Sequence, residues 1–263
     1  MKNQTGEQPL SVYDRVILEV FQKHYRPGAE RLDFQKDELV EACRKHRLTV
    51  RNVPDIIYTF RARRPLPQQI LQTGWWCIEP AGKGSFVFRR LKNPPQFSLP
   101  FEDLAPVELL DAIPEVVRRL LREDEQALLT CVLYNRLVDI FTGLTCFHIQ
   151  NHYRAFVKET GQVELDALYV GVAKSGTMAI IPIEAKSTGE HEHVGRVQLA
   201  HMALLVRQDF PNYAHRLLAI KQLGDGTIGI AEFSDRTHPD EVQILGLSRF
   251  RLVREAAPRN HCD

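Results

Sequence analysis

The sequence predicts an α+β fold in two parts: a helical, basic first part closed by a β-hairpin, and a second part mixing strands and helices. Three observations predict it. The hydrophobic period changes along the chain from helical to strand-like, positive charge gathers in the first part, and a proline-rich stretch separates the two. At 263 residues the chain has room for two modest domains, since domains usually run roughly 100–200 residues.

Each element has its own warrant. In residues 14–25, Val16, Ile17, Val20 and Phe21 recur at helical spacing. Residues 33–46 read as a second helix, with Phe34, Leu39, Val40 and Cys43 inward. Asn52 offers an N-cap ahead of Pro54 and Asp55, so a third helix is expected to run to about Arg63, where Pro65 and Pro67 stop it. Trp75-Trp76-Cys77-Ile78 and Phe86-Val87-Phe88 are β-prone and flank turn chemistry, Pro80-Ala81-Gly82-Lys83-Gly84. Of the two tryptophans, one is expected in the core and one at its flank.

Residues 41–92 hold eleven lysines and arginines against three acids, a local charge of +8, whereas the whole chain carries only +1. Such concentration is the footprint of a phosphate-contacting surface, although a solvated face has the same composition. Three helices followed by a hairpin resemble a winged helix. That resemblance implies binding of double-stranded DNA, with Arg51, Arg61, Arg63 and Arg64 on or beside the third helix and Lys83 at the wing tip. Winged helices also serve as protein-binding modules.

Residues 92–114 contain five prolines and read as a linker or packed connector. The expected division is residues 1–98 for DNA binding and 99–263 for the second domain. Beyond it, residues 115–141 read as one long helix ended by Gly143. Residues 161–172 alternate as a strand, with Val163, Leu165 and Ala167 on one side and Glu164, Asp166 and Leu168 on the other. Residues 177–186 are rich in Ile, as in a strand buried on both faces. Residues 195–210 read as a helix, and 216–221 with 227–233 as a final strand pair.

Charge interrupts this apolar core at three places. Asp166 lies in the first strand, and Glu184 and Lys186 stand two apart at the end of the second, so their side chains share a face. Two carboxylates on adjacent strands supply hard oxygen ligands for a divalent cation. A neighbouring lysine can orient or deprotonate a water and offset charge on a phosphate. The bland alternative is an ion pair between Lys186 and one of the two acids.

Asp166 followed by Glu184-Ala185-Lys186 resembles the D…(D/E)xK signature of the PD-(D/E)XK restriction-endonuclease-like family, with Glu164-Leu165 where a proline often precedes the aspartate. The resemblance covers roughly residues 115–233. It implies a restriction-endonuclease-like mixed-sheet core with flanking helices and Mg²⁺, or Mn²⁺ in its place, held by Asp166 and Glu184. It also implies water activation by Lys186 and support from Glu125 and Gln198. The implied activity is site-specific hydrolysis of double-stranded DNA by a restriction-type enzyme, as a homodimer or by sequential nicking, with a cognate DNA methyltransferase as a partner in the same system. Two alternatives stay open: a repair or modification-dependent nuclease of the same fold, and a non-catalytic winged-helix DNA-binding regulator.

Other features rank lower. Glu164 is expected at a solvated strand end, and His191 and His193 sit in a hydrophilic loop near the substrate. The five cysteines include no CxxC pair, which argues against a zinc ribbon or disulfide framework and fits a reducing cytoplasm. No signal-peptide core opens the sequence, and no apolar run reaches the ~18–20 residues that span a bilayer.

Overall fold

The alternation of Leu32 and Phe34 in the buried positions of a five-residue strand marks the first departure from the sequence expectation. Phe34 was expected in the second helix, residues 33–46, and Leu32 was assigned to no element. In the computed structural model, which describes residues 10–48, 53–122, 124–158, 160–188 and 193–254 and only the backbone of Pro54, Ala62 and Arg63, they form β1 (Arg31–Gln35), which pairs with a later strand. The chain divides into two units. The first comprises Met1–Phe97, Phe156–Gln162 and Gly195–Gln198, and the second Ser98–Ala155, Val163–Val194 and Leu199–Asp263.

The first unit opens with α1 (Val12–His24), whose Ser11 hydroxyl accepts from the Asp14 N–H while the Asp14 carboxylate accepts from the Ser11 N–H. This reciprocal cap satisfies two otherwise orphan donors. After β1, α2 (Lys36–Lys45) starts at once, with Glu38 accepting the Gln35 N–H. The third helix is short, α3 (Pro54–Tyr58), and continues as a π turn over Thr59–Arg63. An unanticipated α4 (Gln68–Leu71) follows, then β2 (Trp75–Pro80) and β3 (Ser85–Leu91).

The antiparallel sheet has the order β1-β3-β2. In chain order this part of the unit is one helix, one strand, three further helices and a closing hairpin whose strands join β1 in the sheet. Its core joins the inner face of α1 to the sheet. The Phe21 ring meets Trp76 and Phe88 edge-on, each at 5.2 Å between centroids, a geometry aromatic pairs favour. Trp76 is buried and donates its indole N–H to Thr73, whereas Trp75 is exposed.

The second unit is built on an eight-stranded mixed sheet. In chain order its elements are β4 (Val107–Leu110), α5 (Glu115–Arg118), α6 (Glu125–Tyr134), α7 (Leu137–Thr142), β5 (Thr145–Val157), β6 (Gly161–Val172), β7 (Met178–Lys186), α8 (Arg196–Asp209), β8 (Ala214–His215), β9 (Leu217–Gln222), β10 (Ile228–Phe233) and β11 (Ile244–Val253). The first turn of α8 groups with the first unit. The strand order is β4-β11-β10-β9-β7-β6-β5, with β8 also beside β7. The pairs β7–β9 and β4–β11 are parallel, and β6–β7, β9–β10 and β10–β11 antiparallel.

The single long helix expected over residues 115–141 is three helices. Asp124 caps α6 through the Ala127 N–H, and Arg136 takes a left-handed conformation (φ 50°) that separates α6 from α7. Asn135, at this break, donates to the Cys131 carbonyl and accepts from the Ala112 N–H, tying the proline-rich connector to the helices. That connector contributes β4 to the sheet edge, so it is packed structure. Gly143 ends α7 with a positive φ, the conformation glycine adopts without strain.

Leu128, Leu129, Val132, Leu137 and Val138 of α6 and α7 form one cluster with Ala167, Tyr169, Ile181, Ile183, Ala185, Leu218, Ile220, Ile228 and Ile230. These helices therefore cover one face of the sheet. Strand alternation places Asp166, Glu184 and Lys186 on the other.

Candidate active site

Asp166 sits where β6 and β7 stop pairing. The ladder runs from Val172↔Met178 to Ala167↔Ile183. Just beyond its last pair, the Ala185 N–H is taken at 2.8 Å by the Asp166 carboxylate. A side chain thus replaces a backbone acceptor at the point where two central strands separate. The arrangement follows from sequence: Asp166 occupies the polar register of an alternating strand, and the apolar run of β7 is long enough to carry Glu184 into the interior.

Glu184 is only 3% exposed and Lys186 9%. Their side chains meet at 2.5 Å, Lys186 Nζ donating to Glu184 Oε1. Burying two charges is costly unless they are paired, and this pair supplies the partner. The ion pair weighed as the bland alternative is therefore present, in the same place as the candidate site. Burial pushes the Asp166 carboxyl above the ordinary carboxylate range, against the pull of the Ala185 N–H and the Lys186 ammonium.

Around them lies a second polar layer that the sequence reading ranked low. Glu164, two residues before Asp166 on the same strand face, accepts from His152 at 2.8 Å and from Arg154 at 2.9 Å, both on β5. Burial alone would raise its pKa, but the hydrogen bonds from Arg154 and His152 outweigh it and hold the carboxyl below its usual value. Glu164 is thus an ion-paired residue of the β5–β6 hairpin rather than a solvated strand end. His152 adopts a positive φ of 52°. Its charge and that of Glu164 both act on Asp166.

Not every candidate joins this group. Glu125 opens α6, on the helix layer that covers the opposite face of the sheet, and makes no hydrogen bond or ion pair among the described residues. Gln198 is half-buried in the first turn of α8, within the first unit. There its neighbour Val197 packs with Cys77 and Leu91, and Arg196 lies 4.0 Å over the Phe97 ring. His191 falls outside the described residues.

Two of the first unit's arginines expected to meet DNA, Arg61 and Arg64, are partly enclosed by its own structure. Arg61 is half-buried in the π turn, burial draws its pKa down, and the charge of Glu79 acts on it. Arg64 donates to Ser11 at 2.9 Å, pairs with Asp14 and lies over the Phe60 ring. Both were expected at a phosphate surface; the partners of Arg64 are instead Ser11, Asp14 and the Phe60 ring of its own unit. Lys83 is exposed at the hairpin turn. The side chain of Arg63 and all of Arg51 lie outside what is described. Arg44, Arg47, Arg90 and Lys92 are exposed as well.

The donor set of the Asp166 cluster suits a hard divalent cation: two carboxylates, one with an oxygen already fixed by a backbone N–H. No group of three or more His, Cys, Asp or Glu side chains gathers for a metal among the described residues. An ion held by Asp166 and Glu184 would therefore complete its shell with water and substrate oxygens.

One residue missed in the sequence belongs to the same face. Lys221 in β9 stands in register with Lys186. The signal was available, because Leu217–Lys221 and Ile181–Lys186 are both apolar runs that end in lysine. Comparison with protein families, with characterised proteins and with solved structures finds no match to this chain.

Proposed function

We propose that the chain is a Mg²⁺-dependent endonuclease of the PD-(D/E)XK type, hydrolysing phosphodiester bonds of double-stranded DNA. The observation that carries the proposal is the Asp166 carboxylate closing the gap between two diverging strands beside the buried Glu184–Lys186 pair. Two acids and a lysine are seldom gathered inside a sheet of Ile, Leu and Ala without a use for the charge.

In this reading Asp166 and Glu184 would hold the ion, which when bound polarises the phosphate and favours ionisation of water. The Ala185 N–H fixes one Asp166 oxygen, so the carboxylate needs little reorganisation to bind. Lys186, held by Glu184, positions the attacking water and offsets charge on the phosphate. Water oxygen bonds to phosphorus, the P–O3′ bond breaks, and a proton passes to the leaving O3′, giving a 3′-hydroxyl and a 5′-phosphate. The winged-helix unit, through Lys83 and the exposed Arg44, Arg47, Arg90 and Lys92 of the same unit, would supply phosphate contacts that place the duplex. One site cuts one strand, so double-strand cleavage would take a homodimer or two successive nicks.

The test is cleavage of plasmid and phage DNA, methylated and unmethylated, with Mg²⁺, with Mn²⁺ or with EDTA, by the wild type, Asp166→Asn and Lys186→Ala. Discrete fragments that require metal and disappear in both variants are expected. Nicking restricted to damaged or modified duplexes would redirect the assignment to repair or modification-dependent cleavage. Binding of duplex without any cleavage would leave a regulator on an inactive nuclease scaffold.

A further inference from the structure

Strand β5 changes sides partway along. Cys146 packs in the cluster that joins α6 and α7 to the sheet. The His148 ring meets Tyr169 of that cluster edge-on at 5.1 Å, and Asn151 donates to Gln126 of α6 at 2.9 Å. His152 and Arg154 turn the other way, both donating to Glu164 on the face of β6 that carries Asp166. Regular alternation would keep Cys146, His148, His152 and Arg154 on one face. The reversal coincides with His152, whose φ of 52° is left-handed backbone that a residue with a Cβ seldom adopts. Irregularities of this kind re-aim side chains and gather beside active sites, where surrounding contacts hold the strain.

What the reversal delivers is a guanidinium. His152 and Arg154 meet the same carboxylate oxygen, Glu164 Oε1. Arg154 uses only Nη2 for that bond. Its Nε and Nη1 have no acceptor among the described residues, and the side chain is 55% exposed. Held at one end by Glu164, the planar fork keeps its remaining N–H groups in a fixed direction, which suits them to the paired oxygens of a phosphate.

A salt bridge as exposed as this one adds little stability, so stability alone is a poor reason for strained backbone in β5. Position offers a better one. Glu164 and Asp166 stand two residues apart on one face of β6, about 7 Å along the strand. Arg154 is thus one side chain removed from the carboxylate cluster, placed for a phosphate next to the one being cut.

We propose that Arg154 is a substrate-binding residue of this site, donating to non-bridging oxygens of a DNA phosphate that neighbours the scissile one. The proposal rests on the nuclease reading above. Its ligand class is the phosphodiester backbone, recognised by charge and independent of base sequence.

The experiment compares the wild type, Arg154→Gln and Arg154→Lys in steady-state cleavage of a duplex with Mg²⁺. Duplex binding is also titrated against salt in EDTA, and thermal unfolding is followed without DNA. Once the cut is mapped, cleavage is repeated on duplexes carrying one neutral methylphosphonate at successive positions beside it. Arg154→Gln keeps a donor for Glu164 and removes the charge. It is expected to raise KM about tenfold, with the loss in KM rather than kcat, and to lower the slope of log K against log salt by about one. Arg154→Lys should restore the slope, which counts charge, but only part of KM, which also depends on the fork. Neither variant should shift the melting temperature. In the wild type one neighbouring methylphosphonate should raise KM to a similar degree, and in Arg154→Gln the same methylphosphonate should add nothing. Wild-type KM and slope in Arg154→Gln, in a protein that cleaves, would overturn the Arg154 assignment alone. Additive effects of Arg154→Gln and every neighbouring methylphosphonate would overturn it too, as would a lower melting temperature with KM unchanged. Absence of any wild-type cleavage would remove the nuclease reading, and Arg154 with it.

Discussion

At Gly229 one missing side chain sets the packing of a whole sheet face. The Phe101 ring is buried, and a Cβ at position 229 would stand 2.6 Å from two of its ring carbons. The ring cannot swing away cheaply, because the Phe101 carbonyl and those of Glu102 and Leu104 are pinned by Arg249. Gly229→Ala should therefore destabilise by about 1–3 kcal/mol, the range for overpacking a filled core, read as a lower urea midpoint with an unchanged slope. An unaltered midpoint would mean the Phe101 turn yields more readily than its hydrogen bonds imply. The same position shows what residue-level reading can reach. Asp166, Glu184 and Lys186 were legible because charge in an apolar strand is conspicuous along the chain. The dependence of Gly229 on Phe101 was not, since a strand glycine carries no sign of the ring above it. Arg64 drew attention as charge, yet its partners Asp14 and Ser11 are distant in sequence and emerge only on folding.

Among the elements, α2 carries the clearest dependence on pH. Glu38 accepts the Gln35 N–H at the helix start and contacts Lys23 at 2.9 Å and His24 at 2.7 Å. Burial alone would raise its pKa, but the bonds from Gln35, Lys23 and His24 prevail and hold it at about 2, below its ordinary 4.5. A folded-state pKa below the unfolded one stabilises fully above the unfolded value, and the contribution is lost as pH falls from 4.5 toward 2. Glu38→Gln should accordingly cost on the order of 1 kcal/mol at pH 7, with the gap to wild type closing toward pH 2. Urea denaturation across that range checks it, and a gap independent of pH would show that shape rather than charge matters. Elements with a strong period, α1 and β6, were readable because burial of one face imposes it, and β7 because burial of both faces leaves an unbroken apolar run. Most of short β1 was absorbed into the helix that follows, where Phe34 mimics the start of an apolar helical face. Strand β5 is exposed along most of its length, so little burial was recorded in its sequence. The joints of α5, α6 and α7 depend on Asp124, Asn135 and Arg136, whose capping and left-handed conformations hardly interrupt a hydrophobic pattern.

For the whole molecule, the proposed nuclease function assigns binding to one unit and hydrolysis to the other. The net charge of +1 is too small to draw the entire chain to DNA, whereas the basic stretch of residues 41–92 falls in the first unit and the carboxylate cluster lies in the second. Affinity and chemistry should then fail separately. Lys83→Ala removes one exposed cation from the hairpin turn and should weaken duplex binding while lowering the salt slope by about one. At saturating DNA its cleavage rate should remain that of the wild type. Asp166→Asn should do the reverse, abolishing cleavage while leaving the salt-dependent binding in EDTA intact. Gel-shift titrations at several salt concentrations, paired with single-turnover cleavage, measure both quantities on the same preparations. If Lys83→Ala slowed the chemical step as much as it weakened binding, the hairpin would be acting on the reacting phosphate. If Asp166→Asn lowered the salt slope, the carboxylate cluster would be supporting the binding surface itself. Only the crossed pattern, with each variant affecting one quantity, is compatible with a basic module delivering duplex to a separate hydrolytic sheet.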